Sequence, residues 1–535
     1  MGTAEGFPEE RGIQSQSDVP APRRQRTALR CGQPRRGDAG YRPRLADPRA
    51  GYFTTTLYDF ARAEERGFVR YINRWRLEKA DPRAARSAVK QPIVFWIENT
   101  TPFEYRRYVR EGLEAWNRAF AAAGLLNAIE VRQMPDDAEW DPEDARYNTI
   151  RWSATYNMGF AIGPSRTNPL TGEILDADIL IDANFVRSFE MSYRFLTDAP
   201  SDEERDGYRR FWHDMLHQRH PMRDDPVIEW LNERGQAADV LCRVCHNQTH
   251  MTRDAALLGM QHALLMAQAE RPDGQAERPD GMAGIDPSGL PEELIGAALR
   301  DLVMHEVGHT LGLRHNFRAS TLRSIEELSD RELVEREGFT ASVMDYQPMF
   351  FAADPANQGY YNPPDIGPYD LWVIRAGYAD DRELPAILAE STRPEHIYGT
   401  DEDTYGSFGI DPYCQIWDLG RDPLDFAENR YQLVRRLWAQ DWNRIAERSP
   451  MGRRALRTAF AVTINQHLGA TTTALRFIGG IRHWRHEHQD PNANRPIEPV
   501  SGEQMRRALQ LVLEHSLGAE SFPFPRDILR DLAPN

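Results

Sequence analysis

From Tyr52 onward, apolar and polar positions alternate in ways that predict regular elements. Ile93-Val94-Phe95-Trp96-Ile97 is an apolar run between Pro92 and Asn99-Thr100, which predicts a buried strand. Over residues 103–123, Tyr105, Val109, Leu113, Trp116 and Phe120 recur at helical spacing, so an amphipathic helix closed by Gly124 is expected there. Ala128–Arg132 and Thr149–Ser153 are short strand candidates. Residues 158–163 and 174–181 flank the turn cluster Asn168-Pro169-Leu170-Thr171-Gly172 and read as a hairpin. This order of elements points to a mixed α/β (α+β) fold around a twisted mixed sheet.

Residues 195–287 read as an insertion of mostly helical segments that ends in a tandem Glu-Arg-Pro-Asp-Gly repeat, expected to be a flexible loop. A helix is expected from Pro291 to Leu311, with proline near its start, acids in its first turn and Gly312 at its stop. Beyond residue 380 the chain turns polar, then helical at 423–447 and 501–517, the latter opening on the capping box Ser501-Gly502-Glu503-Gln504.

Composition narrows the class. The chain has 535 residues, 41% of them hydrophobic and 27% charged, which suits a globular protein with a sizeable core. Net charge is −16. Residues 1–50 hold ten Arg against six Asp and Glu, lack periodicity, and read as a disordered arm. The acidic body argues against a nucleic-acid footprint, and no apolar run is long enough to span a bilayer. The start lacks the apolar stretch of an export signal. The four cysteines (Cys31, Cys242, Cys245, Cys414) are too few for a disulfide framework.

The chemistry lies in His305-Glu306-Val307-Gly308-His309-Thr310-Leu311-Gly312-Leu313-Arg314-His315. Residues four apart stand one helical turn above each other, so His305 and His309 offer two imidazoles to one point. Glu306 projects beside them, within reach of a metal-held water but not as a ligand. Gly312 can adopt the left-handed conformation that lets His315 swing back as a third donor. Three protein ligands leave a fourth position for water, as catalytic zinc requires. From the counts of His, acids and Gly, the five fixed positions arise by chance in about one such chain in ten thousand.

Downstream, Ala341-Ser342-Val343-Met344-Asp345-Tyr346 resembles the Met-turn of metzincins, and with the extended H-E-x-x-H-x-x-G-x-x-H pattern it makes the chain similar to that superfamily of zinc peptidases. Pro92–Ile97 with its following helix, the 159–187 hairpin, His305–Ser320 and Asp365-Ile-Gly-Pro-Tyr-Asp-Leu-Trp372 resemble the large bacterial zinc metalloproteases with an extended metzincin domain. The resemblance implies Zn2+ on His305, His309 and His315, Glu306 as general base, Met344 as an apolar floor, and Tyr346 as either an oxyanion donor or a packing residue. It also implies a peptide or protein substrate, paired with an edge strand within residues 174–181, and an exported protein. The organisation then expected is an arm over 1–50, a lead-in over 51–90, a catalytic domain over 91–380 holding the 195–287 insertion, and a helical region over 381–535. An inactive zinc-binding scaffold of the same fold is the alternative, against which the intact Glu306 speaks.

Other signals are weaker. His213-Asp214-Met215-Leu216-His217, with His220 nearby, reads as an exposed helix face, because no glycine turn brings a third donor into order. His483, His486 and His488 read as a solvated strand and loop. Cys242-Arg243-Val244-Cys245-His246 leaves three readings open: structural thiols, a disulfide or half zinc site, or c-type haem attachment.

Overall fold

The computed structural model describes residues 40–58, 67–154, 161–197, 247–269, 292–405, 409–448, 452–524 and 526–532. Cys242, Cys245, His246, the histidines at 213, 217 and 220, and the repeat at 270–281 lie outside the described residues. The chain enters through β1 (Thr54–Tyr58) and β2 (Phe68–Ile72), an antiparallel pair, followed by β3 (Arg74–Trp75). The arm expected over residues 1–50 is in fact placed from residue 40: Arg44 and Arg49 are buried, Arg44 donating to Ala376 O at 2.5 Å and Arg49 to Asp490 at 2.7 Å. Those acceptors lie more than 300 residues away, so local composition could not announce them.

The central sheet grows from the predicted apolar run. β4 (Ile93–Ile97) buries Ile93, Phe95 and Ile97 on one face and pairs in parallel with β5 (Ile129–Gln133) and β6 (Asn148–Ser153). After β7 (Ala161–Ile162), β8 (Ser165–Thr167), β9 (Glu173–Ala177) and β10 (Ile179–Asp182), the five-stranded order is β5-β4-β6-β10-β7, with β7 alone antiparallel. The expected hairpin is therefore divided. Its outer half, β8 and β9, joins β3 in a separate three-stranded sheet, and its inner half, β7 and β10, completes the main one. The strand expected at an edge within residues 174–181 is interior in both sheets, β9 between β8 and β3 and β10 between β6 and β7, and the edges of the main sheet are β5 and β7. Gly163 and Asp178 interrupt the two arms, and a hairpin inferred from its turn carries no record of that break.

The amphipathic segment after β4 forms two helices, α1 (Phe103–Ala115) and α2 (Asn117–Ala122), rather than one. The break at Trp116 lets its indole donate to Met304 O at 2.9 Å, while the Asn117 amide bonds both backbone groups of Ile129. α3 (Asn184–Thr197) and α4 (Asn247–Ala269) pack together through the Tyr193 hydroxyl on His262 Nδ1 at 2.9 Å. Burial pushes the His262 imidazole down to about 4. Ala255, Ala256, Leu257, Leu258 and Met260 of α4 are fully buried, so this part of the expected insertion is core. α5 (Glu292–Thr310) lies against α1, and α6 (Pro368–Tyr378) against α2. The C-terminal region is helical as expected, in α7 (Pro423–Trp438) and α9 (Gly502–Val512), the latter capped by the Ser501 hydroxyl. Between them lies α8 (Arg453–Leu475), a long helix not anticipated from the sequence. The strand carrying His483 pairs with Ile497–Pro499, matching the strand-and-loop expectation. One hydrophobic cluster runs from Tyr52 to Ile528, and no described helix is long and apolar enough to cross a membrane.

α1 packs tightly on α5 at Gly112, where an added Cβ would stand 2.8 Å from Val303 Cβ and 3.0 Å from Arg300 O. Gly112→Ala would gain about 1 kcal/mol of helix propensity and lose roughly 1–3 kcal/mol to overpacking. The expected outcome is a lower denaturation midpoint. A midpoint at or above wild type would show that the two helices separate at no cost.

Candidate metal centre

α5 carries His305, Glu306 and His309 on its last turns, and Gly312 ends it with φ +92°. Two constraints demand glycine there: the positive φ, and the space, since a Cβ would fall 2.0 Å from Asn73 O. The reversal brings His315 back toward the helix. One ring nitrogen from each of His305, His309 and His315 lies within 4.8 Å of the other two. Among the described residues no other group of His, Cys, Asp or Glu meets that condition, so the stretch around His483 forms no second centre.

Hydrogen bonds fix which nitrogens converge. His305 Nδ1 bonds Val343 O at 2.7 Å, His309 Nδ1 bonds Leu313 O at 2.9 Å, and His315 Nδ1 bonds Asp401 Oδ1 at 3.1 Å. A carbonyl can only accept, so Nδ1 of His305 and of His309 carries the proton, which leaves Nε2 as the lone-pair donor. The Asp401 carboxylate favours the same tautomer for His315. Nε2 of His305 and of His315 is buried with no hydrogen-bond partner, an orphaned state a metal ion would relieve. Burial, reinforced by neighbouring His315, pushes the His305 imidazole down to about 3, so it is neutral and ready to coordinate. The donor set fits a metal: three imidazoles, each oriented by an acceptor behind it.

Beneath them lies Met344, fully buried. A Cβ on Gly308 would meet Met344 Sδ at 2.1 Å and the Trp116 ring at 3.0 Å. The glycine of His-Glu-Val-Gly-His is thus the slot into which the methionine fits. The turn itself hangs on Asp370, whose carboxylate accepts from Ser342 Oγ at 2.5 Å, Val343 N at 3.0 Å and Gly367 N at 2.8 Å. Burial pushes the Asp370 carboxyl up to about 7 against the pull of those donors. Asn316 N donates to Met344 O at 2.9 Å, tying the turn to the residue after the third histidine.

The remaining predicted residues gather at the same place. Glu306 is fully buried, and the chain leaving β7 crosses it so closely that a Cβ on Gly163 would stand 2.5 Å from Glu306 O and 3.3 Å from Oε2. The Tyr346 ring lies 5.3 Å from that of His305 and 4.6 Å from that of His315, centre to centre. Two residues had escaped notice. Asp370 sits inside the 365–372 segment, where the pattern itself was visible but its anchoring role was not. Asp401 begins a short capped turn in a stretch legible only as polar, and nothing local links it to His315, 86 residues earlier.

Residues 287–533 match the Met-zincin family, and residues 37–80 match a domain of unknown function. No curated protein and no solved structure matches the chain.

Replacing Asp370 with Ala leaves a hydroxyl and two buried amides without their acceptor, a loss of roughly 2–5 kcal/mol. Thermal unfolding of Asp370→Ala should begin well below wild type, with metal released earlier in a chelator titration. Wild-type behaviour in both would remove Asp370 as the anchor of the turn.

Proposed function

We propose that this chain, whose residues 287–533 match the Met-zincin family, is a zinc-dependent endopeptidase. One observation carries the reading: three buried imidazoles converge, with a glutamate next to the first of them on the same helix. Three imidazole nitrogens suit zinc. Zinc held there supplies a Lewis acid and lowers the pKa of a water toward about 7. Glu306 would act as the general base, taking a proton from the attacking water and passing it to the leaving amine nitrogen. The Tyr346 phenol donates a hydrogen bond to the carbonyl oxygen as negative charge builds there. β7, the antiparallel edge strand whose next residue Gly163 packs on Glu306, would offer its outer side to an extended substrate peptide.

The near-complete burial of the ligands, at 2%, 1% and 1% exposure for His305, His309 and His315, favours a second reading, a zinc-binding scaffold without turnover. One substitution and one assay of the wild-type chain separate the readings. Glu306→Gln should keep about one zinc per chain while peptide cleavage falls by at least ~100-fold. Cleavage at wild-type rate would require a different base, and wild-type protein that holds zinc yet cleaves no member of a peptide library would establish the scaffold.

Tyr346→Phe keeps the ring and its packing but removes the hydroxyl. A donor acting on the transition state predicts a kcat loss on the order of 10- to 1,000-fold with little change in KM. An unchanged kcat, with zinc content equal to wild type, would reduce Tyr346 to a packing role.

A further inference from the structure

Every α-helix ends with carbonyls that its own ladder leaves unpaired. In α5 most of them are taken locally: Val307 O accepts from Leu311 N, Gly308 O from Leu313 N, and His309 O from Gly312 N. Thr310 O is different. It accepts from the Trp75 indole Nε1 at 2.8 Å, a group 235 residues earlier in the chain. The next backbone groups follow suit. Phe53 N donates to Gly312 O at 2.8 Å, and Arg314 N donates to Gly51 O at 2.8 Å, forming an antiparallel bridge between Tyr52 and Leu313. Asn73 O closes against Gly312 where a side chain would otherwise stand. The Phe53 ring, 5% exposed, lies 5.9 Å from the His309 ring.

The grip therefore covers Thr310, Gly312, Leu313 and Arg314, the four residues that carry the chain from the second histidine to His315 apart from Leu311. All of it comes from residues 51–53 and 73–75, inside the region that matches the domain of unknown function. That region is itself fastened to α6, the helix bearing Asp370. Tyr52 Oη donates to Val373 O at 2.9 Å, Arg74 Nη1 to Gly377 O at 2.9 Å, and Gly51 N to the Tyr369 hydroxyl at 3.0 Å. α6 thus anchors the Met-turn through Asp370 and the ligand turn through residues 51–75.

We propose that residues 51–53 and 73–75 form a clamp that pre-sets the ligand turn, with Trp75 and Phe53 as positioning residues for His315 and His309, so that metal retention depends on this N-terminal region. A turn held in place before metal arrives loses less freedom on binding. Coupling of this kind is reciprocal: if the clamp tightens the metal, the metal must tighten the clamp by the same factor. The inference rests on the zinc reading above, and its test distinguishes the two.

The test compares two identical substitutions. Trp75→Phe removes the indole donor to Thr310 O. Trp438→Phe removes an indole donor to Thr463 Oγ1, a 2.9 Å bond in the C-terminal helical layer. Zinc transfer to a chromogenic chelator is timed for both variants and wild type. Transfer should be about three- to tenfold faster for Trp75→Phe, the size of one net hydrogen bond, and unchanged for Trp438→Phe. Equal rates for Trp75→Phe and wild type, or equal acceleration in both variants, would overturn the clamp. Wild type that takes up no zinc would overturn the metal reading itself. Hydrogen exchange on the wild-type chain keeps the inference open to refutation should Trp75→Phe not fold. Removing zinc should speed exchange at the amides of Phe53 and Arg314, and a change confined to residues 305–309 would refute the coupling.

Discussion

Three imidazoles can share one metal only if each presents the same nitrogen to the same point, and most of the architecture serves that requirement. Each ring is set from behind by an acceptor in a different part of the chain: the ligand turn itself for His309, the Met-turn for His305, and Asp401 for His315. Because a carbonyl cannot donate, two of the three tautomers are settled by backbone position alone. Burial of the rings also keeps water from competing for their nitrogens. Helix, turn and C-terminal region are thus coupled through the protonation of three side chains.

Glycines mark where that coupling is tightest. Gly308 admits Met344, Gly312 accepts both a left-handed backbone and the carbonyl of Asn73, and Gly163 lets the edge-strand connection cross Glu306. At each place the neighbour is a backbone carbonyl or the middle of a buried side chain, so there is little room for relaxation. The spacing between sheet, active helix and Met-turn is set by these contacts.

Away from the centre, buried polar groups join distant segments. Asp254 on α4 accepts from Met349 N just beyond the Met-turn and from Gln466 on α8, while Arg430 on α7 donates to Met349 O. Arg318, three residues past the last histidine, pairs with Asp411 at 2.7 Å, both groups fully buried. Removing one member of such a pair would leave a charge without solvent or partner. The helices after residue 380 are consequently built into the frame behind the metal site.

Residues adjacent in sequence determined the chemistry. The His305–His315 pattern needs only helical periodicity and one glycine, and Ile93–Ile97 needs only an apolar run, so both could be read directly. The resemblance around Met344 extended that reading to the floor of the site. What escaped depends on partners far along the chain. Arg44 and Arg49, lost in an arginine-rich arm, are buried by acceptors contributed by the last third of the sequence. Asp401 looks like any acid in a capped turn until His315 faces it. The division of the expected hairpin between two sheets follows from β3 claiming one half and β6 the other, and neither pairing leaves a mark on the hairpin's own residues. Periodicity and turn propensity are local properties of the backbone, whereas the partner of a buried polar group is selected by packing that exists only once the whole chain has folded.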